Sequence, residues 1–131
     1  MSNVPAKRVV LADDHLETAH RIFSILSTDF QVVAMVANGE ELVRAVYRYA
    51  PDVVVSDLYM PVCNGLQAMR ELRIDGIRVP FVLVSSAFDR FTDCTKWGAA
   101  ACVSKNFIVA DLNDAVRLAA QAVNSHQAPE I

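Results

Sequence analysis

Three carboxylates, a hydroxyl and an ammonium each lie within two residues of the end of a short apolar run of this sequence. They are Asp13, Asp14, Asp57, Ser85 and Lys105. If folding gathers the carboxylates, their mutual repulsion requires either that one is protonated or that a cation lies among them. A hard divalent ion with oxygen ligands and retained waters suits such a set, which points to Mg²⁺. These residue types therefore predict a magnesium site beside a lysine and a serine.

The same groups are suited to phosphoryl transfer. A metal ion, a lysine and a hydroxyl donor can neutralise and orient the phosphoryl oxygens, which is most of what that reaction requires. Asp57 is then the candidate nucleophile, because a carboxylate can form an aspartyl phosphate. Taken singly, each residue also has a structural explanation; Asp13 or Asp14, for example, could cap a helix. Their joint position after apolar runs favours the chemical explanation.

Five apolar runs predict the strands that position these groups. The runs are 9–12, 32–36, 53–55, 81–84 and 100–103. Short runs without polar residues are typical of strands covered on both faces. With helical patterns between them, they predict an α/β fold: a doubly wound, five-stranded parallel sheet in the order 2-1-3-4-5, flavodoxin-like. Ligands bind beyond the carboxyl ends of such strands, so the five polar groups should meet at that edge.

Helical periodicity is clear in four of the intervening segments. The predicted apolar faces are Leu16, Ala19, Phe23 and Leu26; Leu42, Ala45, Val46 and Tyr49; Leu66, Met69 and Leu72; and Leu112, Ala115, Val116, Ala119 and Val123. The segment 91–97 is weaker, because only Phe91 and Cys94 align in it. His15, beside the acidic pair, is expected to start the first helix rather than to bind a metal.

Length and composition set the class of protein. A chain of 131 residues suits one domain, which we predict at 7–123, with an N-terminal tail at 1–6 and a tail or linker start at 124–131. The net charge of −3 and the lack of a basic block argue against direct nucleic-acid binding by this domain. No apolar run approaches the roughly 20 residues of a membrane helix. Cys63, Cys94 and Cys102 lack metal-site spacing and are expected to be free apolar fillers in a cytoplasmic protein.

The motifs resemble the receiver domain of bacterial two-component response regulators, the CheY-like family. The resemblance covers about 7–123 and rests on 13–14, 56–61 with Gly65, Ser85, and 98–105. It implies that Asp57 accepts a phosphoryl group from a histidine kinase or phosphotransfer protein, with Ser85 and Lys105 contacting the phosphoryl oxygens. It also implies that Mg²⁺ is held by Asp14, Asp57 and the backbone carbonyl of Tyr59, with Asp13 acting through water. Such a domain is not an enzyme beyond assisting its own phosphorylation and dephosphorylation.

Three departures from the family pattern concern signal output. Cys102 occupies the position, three residues before Lys105, where the family commonly has an aromatic residue that moves on phosphorylation. Asn106 follows the lysine where many receivers have proline. The segment from Ser85 to Gly98 is about two residues short, so its helix and loop should be shortened or irregular.

Several outputs remain open from the sequence. The domain could signal by protein contact through the segment 91–97, the fifth strand and the final helix, with a homodimer possible. It could instead be the receiver of a transcriptional regulator with a LuxR-type helix-turn-helix domain. The sequence Asp13-Asp14-His15 and the Asn106 that follows Lys105 resemble receivers of that type. A degenerate receiver that binds partners without phosphorylation is a further alternative. A small Mg²⁺-dependent phosphatase is disfavoured, because such enzymes usually carry a second aspartate where Tyr59 stands.

Overall fold

The computed structural model describes residues 5–89 and 91–127, with side chains as far as residue 121. Strands and helices alternate along the chain in the order that the sequence predicts. They are β1 (Arg8–Ala12), α1 (Leu16–Leu26), β2 (Gln31–Val36), α2 (Gly39–Tyr49), β3 (Val53–Asp57), α3 (Gly65–Ile74), β4 (Phe81–Ser85), a 3-10 turn (Thr95–Trp97), β5 (Ala101–Ser104), a second 3-10 turn (Lys105–Phe107) and α4 (Ile108–Gln127).

The five strands form one parallel sheet in the order β2-β1-β3-β4-β5, which confirms the predicted fold class. Every residue of β3 and β4 is buried, because helices cover both faces of the central strands. Successive side chains of a strand point to opposite faces. Val54 and Val55, for example, belong to different core clusters. Burial on both faces explains why the strands read as continuous apolar runs.

Two helices pack on each face of the sheet. One core cluster joins the sheet to α2 and α3, and the other joins it to α1 and α4. The predicted face of α1 is confirmed for Ala19 and Leu26, which are buried together with Ile22, and is wrong for Leu16 and Phe23, which are exposed. Apolar residues stand on more than one side of this helix, so periodicity alone could not choose the buried stripe.

Side-chain caps define where α2 and α3 begin. The Asn38 side chain accepts a hydrogen bond of 2.8 Å from the backbone N–H of Glu41. Asn64 and Gln67 form a reciprocal capping box at the start of α3, with both hydrogen bonds at 2.8 Å. Such caps satisfy backbone donors that the first helical turn leaves free. The Asn64 cap therefore fixes the path by which the chain leaves β3 and enters α3.

The segment between β4 and β5 contains no α-helix in its described residues, 86–89 and 91–100. The 3-10 turn Thr95–Trp97 stands in place of a longer helix, which agrees with the shortened segment expected from the sequence. Local side-chain bonds shape it: Asp89 accepts from the backbone N–H of Phe91 at 2.8 Å, and Asp93 accepts from that of Thr95 at 3.0 Å. Aspartates that bond the backbone two residues on favour turns over helix.

The chain ends differ in part from the predicted boundaries. Helix α4 runs to Gln127, so residues 124–127, which we predicted as part of a tail or the start of a linker, are helical. Residues 1–4 and 128–131 lie outside the described part of the chain. None of the helices in the described residues combines the length and apolar character that crossing a membrane requires.

Candidate functional site

The strands deliver the five predicted groups to one edge of the sheet. Asp13 and Asp14 follow β1, Asp57 ends β3, Ser85 ends β4 and Lys105 follows β5. The strands are parallel and their ends are level, since Asp57 pairs with Val84 in register. Because parallel strands all point the same way, residues at their carboxyl ends share one rim. The predicted edge is thus the edge that the fold forms.

An ion-pair network connects three of the groups. Lys105 Nζ donates to Asp57 Oδ2 at 3.1 Å and lies 3.3 Å from Asp13 Oδ2. Asp13 is 4% exposed, Asp57 is 6% exposed and the Lys105 side chain is 17% exposed, so the network is largely withdrawn from water. Charge interactions are stronger in such surroundings than at a solvated surface. Lys105 is therefore held by the site rather than being a solvated cation.

Four side chains at this rim could hold a metal ion. One ligand atom from each of Asp13, Asp14, His15 and Asp57 lies within 4.8 Å of all the others. His15 starts α1 as expected, yet its Nδ1 lies only 3.4 Å from Asp14 Oδ1. The sequence therefore predicted the position of His15 at the start of α1 correctly, but it did not predict that this side chain lies within the acidic cluster.

The geometry of Asp13 supports a cation in this cluster. Asp13 Oδ1 accepts the backbone N–H of His15 at 2.9 Å. Its other oxygen, Oδ2, is buried and accepts no hydrogen bond from the described residues, although Lys105 Nζ is close enough for an ion pair. A buried carboxylate oxygen without a hydrogen bond is costly unless a cation or its water satisfies it. The donor set is carboxylate-rich, as a hard divalent ion requires.

The surroundings of Asp57 also shift its proton affinity. Burial raises the pKa of the Asp57 carboxyl above its ordinary value, while Lys105 opposes that rise by charge and by hydrogen bonding. Asp13 adds repulsion, and the backbone N–H of Tyr59 partly offsets it by bonding the carboxylate. An acid whose ionised form is disfavoured by burial is stabilised by an added positive charge. The electrostatics therefore favour a cation near Asp57.

Ser85 has the position and the free donor that its predicted role needs. It is 2% exposed at the end of β4, whereas the adjacent Ser86 is exposed. The Ser85 hydroxyl oxygen accepts from the backbone N–H of Ala87 at 3.1 Å. Accepting that bond leaves the hydroxyl proton available for another oxygen. Of the two serines, Ser85 is the one whose placement suits a ligand at the rim.

The loop from β3 to α3 passes very close to its neighbours. Tyr59 is 64% exposed, and Val62 adopts a left-handed φ of 70°, an uncommon and strained conformation for a β-branched residue. A Cβ on Gly39 would lie 2.3 Å from the backbone oxygen of Cys63. Gly39 therefore lets the start of α2 dock against this loop, a requirement that no motif in the sequence signalled.

Gly65 begins α3 directly against the end of β3, and Gly65→Ala is expected to destabilise the domain by about 2–3 kcal/mol. A Cβ there would lie 2.5 Å from the backbone oxygen of Asp57 and 2.7 Å from Ser56 Oγ. The Asp57 oxygen belongs to the backbone, and the short Ser56 side chain is fully buried and donates a hydrogen bond to that oxygen, so α3 or the end of β3 must shift. Urea unfolding followed by circular dichroism measures the change. Arg70→Ala, at an exposed position of α3, is the control and should stay within about 0.5 kcal/mol of wild type. Equal stabilities of Gly65→Ala and wild type would contradict the close approach of Gly65 to the end of β3.

Comparisons with known proteins agree with this geometry. The family model described as the response regulator receiver domain matches residues 9–117. The transcriptional regulatory protein DegU of Brevibacillus brevis is 33% identical over 119 residues, which cover 87% of this chain and 50% of DegU. A protein-glutamate methylesterase/protein-glutamine glutaminase of Geobacter metallireducens is 38% identical over 84 residues, covering 63% of this chain and 24% of that protein.

Solved structures agree on the fold. The receiver domain of the response regulator NarL from Mycobacterium tuberculosis superposes with a TM-score of 0.82 at 24% identity, covering 90% of this chain and 98% of that one. The chain spans about half or less of the length of the two curated relatives, so the similarity concerns one domain of each. Since the matched residues include all of the sheet except Arg8 and also the acidic rim, the chain belongs to the response regulator receiver domain family.

Proposed function

We propose that this domain receives a phosphoryl group on Asp57 from a histidine kinase or phosphotransfer protein in two-component signalling. The observation that carries the proposal is the approach of Lys105 Nζ to within 3.1 Å of Asp57 Oδ2 and 3.3 Å of Asp13 Oδ2. An aspartate poised as a nucleophile needs a fixed positive charge beside it to receive the incoming phosphoryl oxygens. Lys105 supplies that charge, and the buried Ser85 hydroxyl supplies a donor at the same rim.

Mg²⁺ is the proposed cofactor of this reaction. Asp13, Asp14 and Asp57 would hold it with the backbone carbonyl of Tyr59, Asp13 acting through water. When bound, the ion supplies charge neutralisation for the phosphoryl oxygens. The chain itself holds Asp57 in place at the end of β3, and it keeps the carboxylate apart from bulk water. In this proposal the domain assists only its own phosphorylation and dephosphorylation.

Incubation with acetyl phosphate tests the proposal without the unidentified kinase. Intact mass should rise by a single phosphoryl group in Mg²⁺ and should stay unchanged in EDTA, because the crowded carboxylates would then repel the incoming phosphate. Absence of labelling in Mg²⁺ would favour a receiver that acts by protein contact without phosphorylation. Continuous release of phosphate from an unrelated ester would instead favour a phosphatase.

For the output, we propose that the domain controls a linked transcriptional effector domain. DegU aligns over 87% of this chain, against 63% for the methylesterase, so the transcriptional relative resembles more of the domain. The native protein would then be about twice the 14.4 kDa of this chain, which an immunoblot of source cells can measure. A native species of 14.4 kDa would favour output by protein contact instead.

We further propose that partner contacts use β5 and α4, with a homodimer as one arrangement. An apolar groove lies along these elements, lined by Ala100, Ala101, Ala115, Leu118 and Ala119. Leu118 is 65% exposed, so apolar surface is available there. Exposed apolar surface of this kind suits a protein partner.

The receiver unit is proposed to span 7–123 and to act in the cytoplasm, where its kinase partners would meet it.

A further inference from the structure

Two of the three cysteines meet beside β5. Cys94 is fully buried, and Cys102 is half-buried in the middle of β5, the edge strand. The Cys102 thiol lies near enough to Cys94 to raise the pKa of the Cys94 thiol, and both side chains pack in the same core cluster. Cys102 Sγ also donates to the backbone oxygen of Thr92 at 3.0 Å. These contacts hold the segment 92–94 against the strand.

The pair joins a segment without regular helix to the sheet. Cys94 immediately precedes the 3-10 turn Thr95–Trp97, and it belongs to the core cluster against which Cys102 packs. Cys102 pairs in register with Leu83 of β4, two residues before Ser85. A covalent bond between the two sulfurs would therefore fasten the β4–β5 connection close to the candidate site.

We infer that Cys94 and Cys102 form a thiol–disulfide modification site whose oxidant is a peroxide. The partly accessible Cys102 sulfur reacts first: its thiolate attacks one peroxide oxygen, the O–O bond breaks, and a sulfenic acid forms with release of water after proton uptake. The Cys94 sulfur then displaces the hydroxyl group, loses its proton and forms the S–S bond, releasing a second water. Two thiols are oxidised by two electrons in total, and one hydrogen peroxide is reduced to two waters.

The order of the two steps follows from burial. Burial is the largest cause that raises the pKa of the Cys94 thiol, and the neighbouring Cys102 adds to it. A thiol that stays protonated is a poor first nucleophile but can still resolve a sulfenic acid beside it. Cys63 is also partly buried, but its sulfur contacts the backbone oxygen of Asn64, so it serves as an internal reference thiol. The inference does not depend on phosphorylation of Asp57.

Tryptic mapping distinguishes this site from ordinary core packing. Cleavage after Arg90, Lys96 and Lys105 places Cys94 in peptide 91–96 and Cys102 in peptide 97–105. After hydrogen peroxide treatment of the folded chain, we expect these peptides to be joined, and alkylatable thiols to fall from three to one per molecule. The remaining thiol should be Cys63. Joining of Cys63 to another cysteine, or three thiols still alkylatable, would overturn the inference.

Two variants complete the test. In Cys94→Ala the resolving thiol is absent, so Cys102 should accumulate sulfinic and sulfonic acid under peroxide that wild type withstands. Cys63→Ala should keep the joined peptides, since it leaves the pair intact. Equal overoxidation of Cys102 in wild type and in Cys94→Ala would show that Cys94 does not resolve it. Peroxide treatment of wild type in urea shows whether joining of Cys94 to Cys102 requires the folded chain. Random pairing among the three cysteines in both the folded and the urea-unfolded chain would also overturn the inference.

Discussion

Asp57→Asn is expected to abolish phosphoryl labelling by acetyl phosphate in Mg²⁺, whereas wild type gains one group. Asparagine keeps the shape of the side chain but replaces the nucleophilic carboxylate oxygen with an amide. Lys105 Nζ, which lies 3.1 Å from Asp57 Oδ2 in the wild type, would then lie beside an amide that cannot form an aspartyl phosphate. Intact mass after a fixed incubation measures the difference.

The matched control is Asp114→Asn, which changes an aspartate whose side chain is 77% exposed and lies outside the acidic cluster. It should label like wild type. Because burial raises the pKa of Asp57, ionisation of this carboxyl opposes folding at neutral pH in the absence of metal. The asparagine variant should therefore be at least as stable as wild type in EDTA, and urea unfolding of both proteins tests whether unfolding contributes to the loss of labelling. Full labelling of Asp57→Asn would move the acceptor to another residue.

Lys105→Ala is expected to slow labelling by about 100-fold, as removal of one preorganised donor to a developing charge does in other sites. Lys105 is the cation that contacts both Asp13 and Asp57. Without it, nothing else described at this rim replaces the positive charge on the side of the cluster that faces β5. The initial rate of phosphoryl gain, followed by mass spectrometry at saturating Mg²⁺, measures the effect.

A binding measurement separates this chemical role from a structural one. The ammonium and a metal ion compete for the same two carboxylates, so Lys105→Ala should bind Mg²⁺ at least as tightly as wild type in calorimetric titration. Lys96→Ala, which alters an exposed lysine in the 3-10 turn, should change neither quantity. Loss of Mg²⁺ binding together with labelling would mean that Lys105 holds the site together instead of acting on the phosphoryl group.

Sequence patterns predicted the placement of the chemical groups well because strand direction is a simple rule. Each apolar run identified a strand, and parallel strands put the residues that follow them on one edge. Asp57 and Lys105, 48 residues apart in the chain, could therefore be placed on the same edge before any contact was known. The short segment from Ser85 to Gly98 likewise predicted a shortened or irregular helix, and a 3-10 turn is found there.

Predictions failed where several arrangements satisfy the same local pattern. In α1, both Phe23 and Ile22 are apolar, and only packing against the sheet and α4 decides that Ile22 is buried. The cysteines are free, as expected, but the sequence did not indicate that Cys94 and Cys102 lie near each other. Their contact depends on the path of the β4–β5 connection, which has no periodicity to read.

By itself, the sequence determined the order of the sheet and the identity of the residues at its carboxyl edge, since both follow from alternating apolar runs and helical segments. The tertiary structure alone decided which residues lie close together: Lys105 with both Asp13 and Asp57, Gly39 with Cys63, and Cys94 with Cys102. Such contacts require atoms distant in the chain to approach within a few ångströms. The local propensity of the sequence for helix or strand does not determine such contacts, because they form only when the loops pack against the folded core.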